Sequence, residues 1–321
     1  MLVWILFFVI IAICLALDLG VFHKNNEVVS MKDSLKWTAV WVACALLFGV
    51  GIYFIYEYKL FDIATHHMDG MEAMTKYYTG YILEESLSMD NIFVMAMIFA
   101  YFKIDRIYQH RVLFWGILGA VVFRLIMILI GSALIAKFSW IMYVFGAILI
   151  FSAIKMLKEE DEESSDFQDS IGVKLLSKIY PINWSVNNGK FFTIENGKKM
   201  ATPLMATLIV IEFTDILFAV DSIPAIFSIT DDPFIIFSSN IFAILGLRNL
   251  YFFLSSMLDK FAYIKYSLVF ILLYVGLKMI FHKYLHFLQD NAWISLVVII
   301  GALLAGVLFS MYKNKQAEAN Q

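Results

Sequence analysis

The chain has 321 residues, of which 61% are hydrophobic and 16% charged, and its mean hydropathy is +0.79. A soluble domain is nearer half apolar and about a quarter charged, so the composition excludes an ordinary soluble domain and identifies a multi-pass membrane protein. The net charge of −3 offers no basic surface for nucleic acid. The two cysteines, Cys14 and Cys44, both lie inside apolar runs and do not support a disulfide framework.

Taken in order, nine stretches are apolar over about the 20 residues that a helix needs to cross a bilayer: 2–22, 36–56, 77–101, 112–135, 139–157, 203–229, 234–257, 265–284 and 292–312. The fold class is therefore an all-α membrane protein. The first stretch lacks a basic start and a small-residue cleavage site, and reads as a spanning helix, not a secretory leader. Asp18 sits near its end, in Ala16-Leu-Asp18-Leu-Gly20-Val-Phe22-His23, where it can add a ligand or close an exit.

Lys and Arg set the orientation. With the N-terminus outside and the C-terminus cytoplasmic, 17 basic residues fall inside and five outside; Arg124 and Arg248 alone lie mid-helix. The protein belongs in the plasma (inner) membrane on this reading. Segment 158–202 is the one large soluble piece. It opens on the acidic run Glu159–Asp169, a solvated linker with no assigned role. Lys174–Pro181 reads as a short amphipathic helix at the headgroups, and 191–200 as a hairpin turning at Asn196-Gly197. His66-His67-Met68-Asp69 and the pair His282 and His286 can attract metal at the outer surface, although isolated surface histidines are commonly only solvated.

Two acidic stretches carry the chemistry. Glu84-Glu85-Ser-Leu-Ser-Met-Asp90-Asn91 lies in the third helix and Glu212-Phe-Thr-Asp215-Ile-Leu-Phe-Ala-Val-Asp221-Ser222-Ile-Pro224 in the sixth. An ionised Asp at the centre of a membrane helix costs roughly 2.5–3.5 kcal/mol on insertion scales, so such residues face a bundle interior or a wet cavity and are functional candidates. Adding 131 to the number superposes Glu84 on Asp215, Asp90 on Asp221 and Asn91 on Ser222. The echo continues at an offset of 123, where Lys155-Met156 matches Lys278-Met279, and Arg124 corresponds to Arg248 within one residue. The chain thus divides into two N-terminal helices (1–57), a three-helix repeat (77–157), the cytoplasmic loop (158–202), a second three-helix repeat (203–284), and a last helix with its tail (292–321). Three helices per repeat invert the second copy, and inverted repeats place substrate sites near the midplane at their interface.

On a straight helix Asp215, Ala219 and Ser222 share one face, while Asp221 falls about 120° from Asp215. Either each carboxylate faces a different neighbour or the helix breaks, and Pro224 favours a break by leaving the carbonyl of Val220 without its partner. Glu84, Asp90, Asn91, Asp215, Asp221 and Ser222 offer carboxylate, amide and hydroxyl oxygens, which suit magnesium, calcium or manganese over copper or zinc. Met89, Met95 and Met97 read as packing residues. Arg124 and Arg248 serve either as plain partners of buried carboxylates or as counter-ions that occupy the acids once a metal has left. Asp90 and Asp221 are expected to approach each other across the repeat interface.

The motifs Asp18-Leu-Gly-Val-Phe-His, Glu84-Glu-Ser-Leu-Ser-Met-Asp90-Asn-Ile-Phe-Val, Glu195-Asn-Gly-Lys-Lys-Met-Ala-Thr-Pro-Leu and Glu212-Phe-Thr-Asp-Ile-Leu-Phe-Ala-Val-Asp-Ser-Ile-Pro-Ala resemble the TerC family, most closely its Alx branch. The family is named for tellurium resistance and linked to manganese efflux and metal homeostasis. The resemblance implies that Asp18, Glu84, Asp90, Asn91, Glu212, Asp215, Asp221 and Ser222 are its acidic and polar membrane positions.

These readings converge on a secondary transporter, not an enzyme, that exports divalent manganese through a midplane carboxylate site in exchange for protons. Manganese is then a substrate, with no prosthetic group, and the partners are the divalent ion and the bilayer. No nucleotide-binding motif suggests direct ATP coupling. The alternatives are a non-transporting membrane scaffold or stress-complex subunit, and an exporter of an amino acid or another cation. The sequence assigns no oligomeric state.

Overall fold

A computed structural model describes residues 2–22, 31–60, 68–138, 140–158, 167–185, 189–195, 197–255, 264–281, 284 and 292–319; the side chains of 18–22, 90, 93, 158, 264, 292 and 314–319 are outside the description. The elements are α1 (Leu2–Phe22), α2 (Met31–Glu57), α3 (Gly70–Tyr101), α4 (Arg106–Lys137), α5 (Ile141–Lys158), α6 (Ile171–Ile179), β1 (Phe192–Glu195), β2 (Lys198–Ala201), α7 (Pro203–Phe227), α8 (Pro233–Leu254), α9 (Ile264–Ile280) and α10 (Ala292–Ala319).

Five of these are long and apolar enough to cross a membrane: α2, α4, α7, α8 and Trp293–Lys313 of α10. Within α1 and α5, Leu2–Leu17 and Ile141–Leu157 are shorter apolar helices. The 32-residue α3 starts at Gly70 rather than at 77 because Asp69 caps it, accepting from Glu72 N at 2.7 Å. Glu57 Oε2 also accepts from Gly70 N at 3.0 Å, which ties the end of α2 to this start. α4 likewise begins at Arg106, before its apolar part. The apolar criterion sees the lipid-length portion of a helix, whereas backbone hydrogen bonding continues into its polar flanks.

The middle of the fold is α8, which is buried throughout its most apolar window. Asp232 caps it, accepting from Phe234 N at 2.9 Å and Ile235 N at 3.3 Å, and the Tyr56 hydroxyl of α2 donates to the same carboxylate at 2.7 Å. Around α8 pack α2, α3 and α4. α7 packs against α3 and α4, and joins α8 through a short turn. The aromatic rings of Trp4 and Phe7 in α1 meet Phe234 and Phe237 at the start of α8.

α5 lies antiparallel on α9. A Cβ on Gly146 would fall 2.9 Å from the Gly276 carbonyl, and one on Gly276 would fall 3.0 Å from the Gly146 carbonyl. Small residues at a crossing let membrane helices approach to backbone contact, where packing supplies the attraction that water would otherwise drive. α10 covers α3 and α9, with the Ser267 hydroxyl donating to Ala302 O at 2.7 Å and Lys278 Nζ to Ser295 Oγ at 3.0 Å.

The segment before α7 forms a small cap at one end of the bundle. Ser170 caps α6 by accepting from Val173 N at 3.4 Å, so the helix begins three residues before the expected Lys174. Gly172 of α6 packs against Ile209 and Phe213 of α7, whereas Ile171, Leu175 and Ile179 are exposed. β1 and β2 pair antiparallel, with Glu195 opposite Lys198 and Phe192 opposite Ala201. Gly197 takes the left-handed φ of +75° that the expected hairpin requires. Arg111 Nη1 donates to Gly189 O at 2.6 Å and fixes the cap to α4.

α7 does not break. It runs as one helix from Pro203 to Phe227 with Pro224 inside it. The helix carries the proline within it, at the cost of the hydrogen bond to Val220 O, so the expected interruption at this proline is absent.

Candidate functional site

Along α4 the buried stripe is Ile117, Ala120, Arg124, Ile128 and Gly131, the three- and four-residue spacing of one helix face. Arg124 is the polar member of that stripe and is only 1% exposed. Its Nη1 donates to Glu84 Oε1 of α3, to Asn240 Oδ1 of α8 at 2.9 Å and to Ser222 Oγ of α7 at 3.3 Å. Its Nη2 pairs with Asp215 Oδ1 of α7 at 3.4 Å. One guanidinium therefore joins four helices. Glu84, Asp215, Ser222 and Asn240 are all buried with it.

Asp215 and Ser222 reach the same guanidinium, and Ala219 between them is fully buried. This is the α7 face that the 100° spacing of a helix predicts. Glu84 and Asp215, matched positions of the two acidic stretches, are the carboxylates that meet. Two carboxylates thus face one guanidinium. Asp215 Oδ2 and Arg124 Nε have no hydrogen-bond partner among the described residues. Beside Asp215 a small cavity opens towards buried Arg248, lined also by Met95, Leu113, Gly116 and Leu247.

The remaining acids of α7 face elsewhere. The Glu212 carboxylate lies against Gly119 of α4 in the space a Cβ would fill, and its Oε2 has no partner among the described residues. Asp221 turns to α5, where the Ser152 hydroxyl donates to its Oδ1 at 2.6 Å and Lys155 adds a favourable positive charge. Of the two readings that a straight helix left open, each carboxylate facing a different neighbour is the one observed.

Asn91 is buried in α3. The side chains of Asp18 and Asp90 lie outside the described residues, as do His66, His67, His282, His286 and 159–166. The expected approach of Asp90 to Asp221 thus lies outside the description on one side, and Asp221 is held at Ser152 on the other. Among the described residues no three His, Cys, Asp or Glu side chains gather to hold a metal ion. The hard oxygens of Glu84, Asp215, Asn240 and Ser222 instead converge on the Arg124 guanidinium.

Two participants were missed in the sequence. Asn240 is a lone amide in an apolar helix, and its Nδ2 donates back to Ile236 O at 3.0 Å, which leaves Oδ1 for Arg124. Ser152 is an ordinary serine in α5. Its only signal is a position one helical turn before Lys155, which the repeat had already marked.

Residues 69–318 match the family described as Integral membrane protein TerC family. An uncharacterized membrane protein of Myxococcus xanthus is 43% identical over 98% of this chain and 93% of its own length. One from Rickettsia bellii is 44% identical over 97% of both chains. The Escherichia coli K12 protein named "Putative membrane-bound redox modulator Alx" is 40% identical over 98% of this chain and 95% of its own length. No solved structure matches. The match over most of the chain, containing both acidic stretches and Arg124, establishes that the protein belongs to the TerC family of integral membrane proteins.

Proposed function

We propose that the protein is a secondary transporter that exports divalent manganese across the plasma membrane, in exchange for protons. The observation that carries this reading is the convergence of Glu84, Asp215, Ser222 and Asn240 on Arg124 deep among α3, α4, α7 and α8. A scaffold gains nothing from desolvating such charges, since an apolar cluster of similar volume holds helices together at least as well. A transporter needs them. The oxygens are hard donors suited to manganese, and Arg124 neutralises them once the ion has left.

Export then alternates two occupants of one set of oxygens. In the first state the guanidinium bridges Glu84 and Asp215. In the second it withdraws and the ion takes its place, with Asn91 as a further oxygen ligand and Asp90 and Glu212 as further acids of the pathway. Asp18 and Asp221 are likewise acids of the pathway, and Arg248, across the cavity from Asp215, is the second counter-ion. A carboxylate in this setting holds either a proton or a metal ion, which is the minimum that exchange requires. The reading includes nine spans, an external N-terminus and a cytoplasmic C-terminus. It also includes inverted repeats α3–α5 and α7–α9, consistent with α3 packing on α8 as α4 packs on α7, and with the reciprocal crossing of α5 and α9. An amino-acid exporter needs a guanidinium for the substrate carboxylate, which Arg124 or Arg248 can supply; the oxygen ligands contributed by both repeats favour an inorganic cation.

The test is uptake of radioactive manganese into proteoliposomes, with calcium, magnesium, zinc and lysine as competitors. The account expects manganese uptake that lysine does not inhibit. Lysine uptake without manganese uptake would overturn it.

A further inference from the structure

Glu85 follows Glu84 on α3 and is turned about 100° from it, towards the junction of α2, α3 and α8. A Cβ built on Gly246 of α8 would lie 3.9 Å from Glu85 Oε1 and 3.8 Å from the Cβ of Trp41 in α2. This brings the carboxylate, the indole and a glycine backbone together in one layer. Glu85 Oε2 and Trp41 Nε1 are buried there with no hydrogen-bond partner among the described residues.

The next layer repeats the pattern. α3 and α8 run parallel, since Gly80 meets Ser239 and Glu85 meets Gly246. α2 runs antiparallel to both, since Tyr56 meets Asp232 and Trp41 meets Gly246. Three residues on in α3 and α8, and three back in α2, come Ser88, Asn249 and Thr38, which share the faces of Glu85, Gly246 and Trp41. Ser88 Oγ, Asn249 Nδ2 and Thr38 Oγ1 are likewise buried without a partner among the described residues. Ser88 and Asn249 are each 1% exposed and Trp41 5%. Five unpartnered polar atoms thus form two stacked layers, apart from the hydrogen bonds of Arg124.

The chemistry of the five selects the ligand. An indole N–H and an amide NH2 only donate, so they repel a bare metal ion, whereas Glu85 Oε2 only accepts when ionised. Water accepts from the first two, donates to the third, and fits between hydroxyls. Buried polar groups of this density are costly unless satisfied, and ordered water is the usual partner of buried polar groups that find none in the protein.

We propose that the α2–α3–α8 junction is a water-filled access path that leads from the end of the bundle bearing the start of α2 to the back of the Arg124 centre. Its role in conducting a transported ion rests on the manganese-transport reading; its hydration does not. On the proposed orientation it opens to the cytoplasm.

The experiment uses the full-length chain in inside-out and right-side-out vesicles, with Cys14 and Cys44 replaced by alanine. Thr38→Cys, Ser88→Cys and Asn249→Cys are each treated with a small charged, membrane-impermeant thiol reagent, with lipid-facing Leu47→Cys as control. Because a thiol reacts as thiolate and needs water to ionise, the three should label about ten-fold or more faster than the control, and only from the cytoplasmic face. Labelling of all three at the control rate would overturn the path; reaction from the outer face alone would uphold the path and overturn the proposed orientation. Manganese is then added. Slower labelling of Ser88→Cys ties the path to transport, whereas fast labelling indifferent to manganese upholds the water path and counts against the manganese reading alone.

Discussion

The two faces of α7 treat acidic residues in opposite ways. Towards α4, Asp215 is shut in, 5% exposed, and held by a guanidinium shared with Glu84. Towards α5, Asp221 is half-buried and held by the Ser152 hydroxyl with Lys155 nearby. A fully desolvated charge must be matched by an opposite charge at close range, whereas a half-solvated one is satisfied by a hydrogen bond. The difference teaches that the acids of α7 are steps and not a single cup. From Glu212 to Asp221 they climb about 14 Å at 1.5 Å per residue.

The comparison breaks most sharply at Arg124. Arg124→Leu strands two buried carboxylates and should cost about 3–5 kcal/mol, read as a lowered thermal midpoint in detergent. Lys155→Leu, on the other face, should cost less than about 1 kcal/mol, because its partner is partly solvated. Equal losses would erase the distinction between the faces. Next comes Gly119→Val, whose side chain collides with the Glu212 carboxylate and should cost about 1–3 kcal/mol. Combining it with Glu212→Ala should recover much of that loss, and strict additivity would show that Glu212 does not lie there. Ser152→Ala removes one hydrogen bond and should cost about 1 kcal/mol. The smallest effect on stability belongs to Asp221→Asn, which still accepts from Ser152 and should shift the midpoint by less than about 1 kcal/mol. That variant is nonetheless expected to lose manganese transport in the uptake assay, which separates a functional carboxylate from a structural one.

Much of this arrangement could be read from the residues. Hydropathy marked the apolar stretches, and helical spacing put Asp215, Ala219 and Ser222 on one face because a periodicity of 3.6 residues is local information. Arg124 and Arg248 stood out because charge is rare at mid-membrane. What could not be read was which neighbour each face meets. Asn240 and Ser152 carry no signal until α8 and α5 are packed, and Glu85 drew no separate reading because one residue of rotation sends it to a different junction from Glu84. Pro224 misled because a proline removes one backbone hydrogen bond without necessarily ending a helix that its neighbours hold in place. The start of α3 was set late because Asp69, a cap, lies outside the apolar run that hydropathy detects.

The account's central claim is that the carboxylates gathered on Arg124 carry manganese in exchange for protons. Moving a dication against an inside-negative potential takes about 4.6 kcal/mol per 100 mV, so export needs a driving ion. The direct measurement uses proteoliposomes that enclose a pH-sensitive dye, made with the native chain and with Glu84→Gln. Manganese added to one side of native vesicles should move inward while protons move outward, and Glu84→Gln vesicles should do neither. Manganese flux at the native rate in Glu84→Gln, or flux without proton movement and indifferent to an imposed pH gradient, would contradict the account.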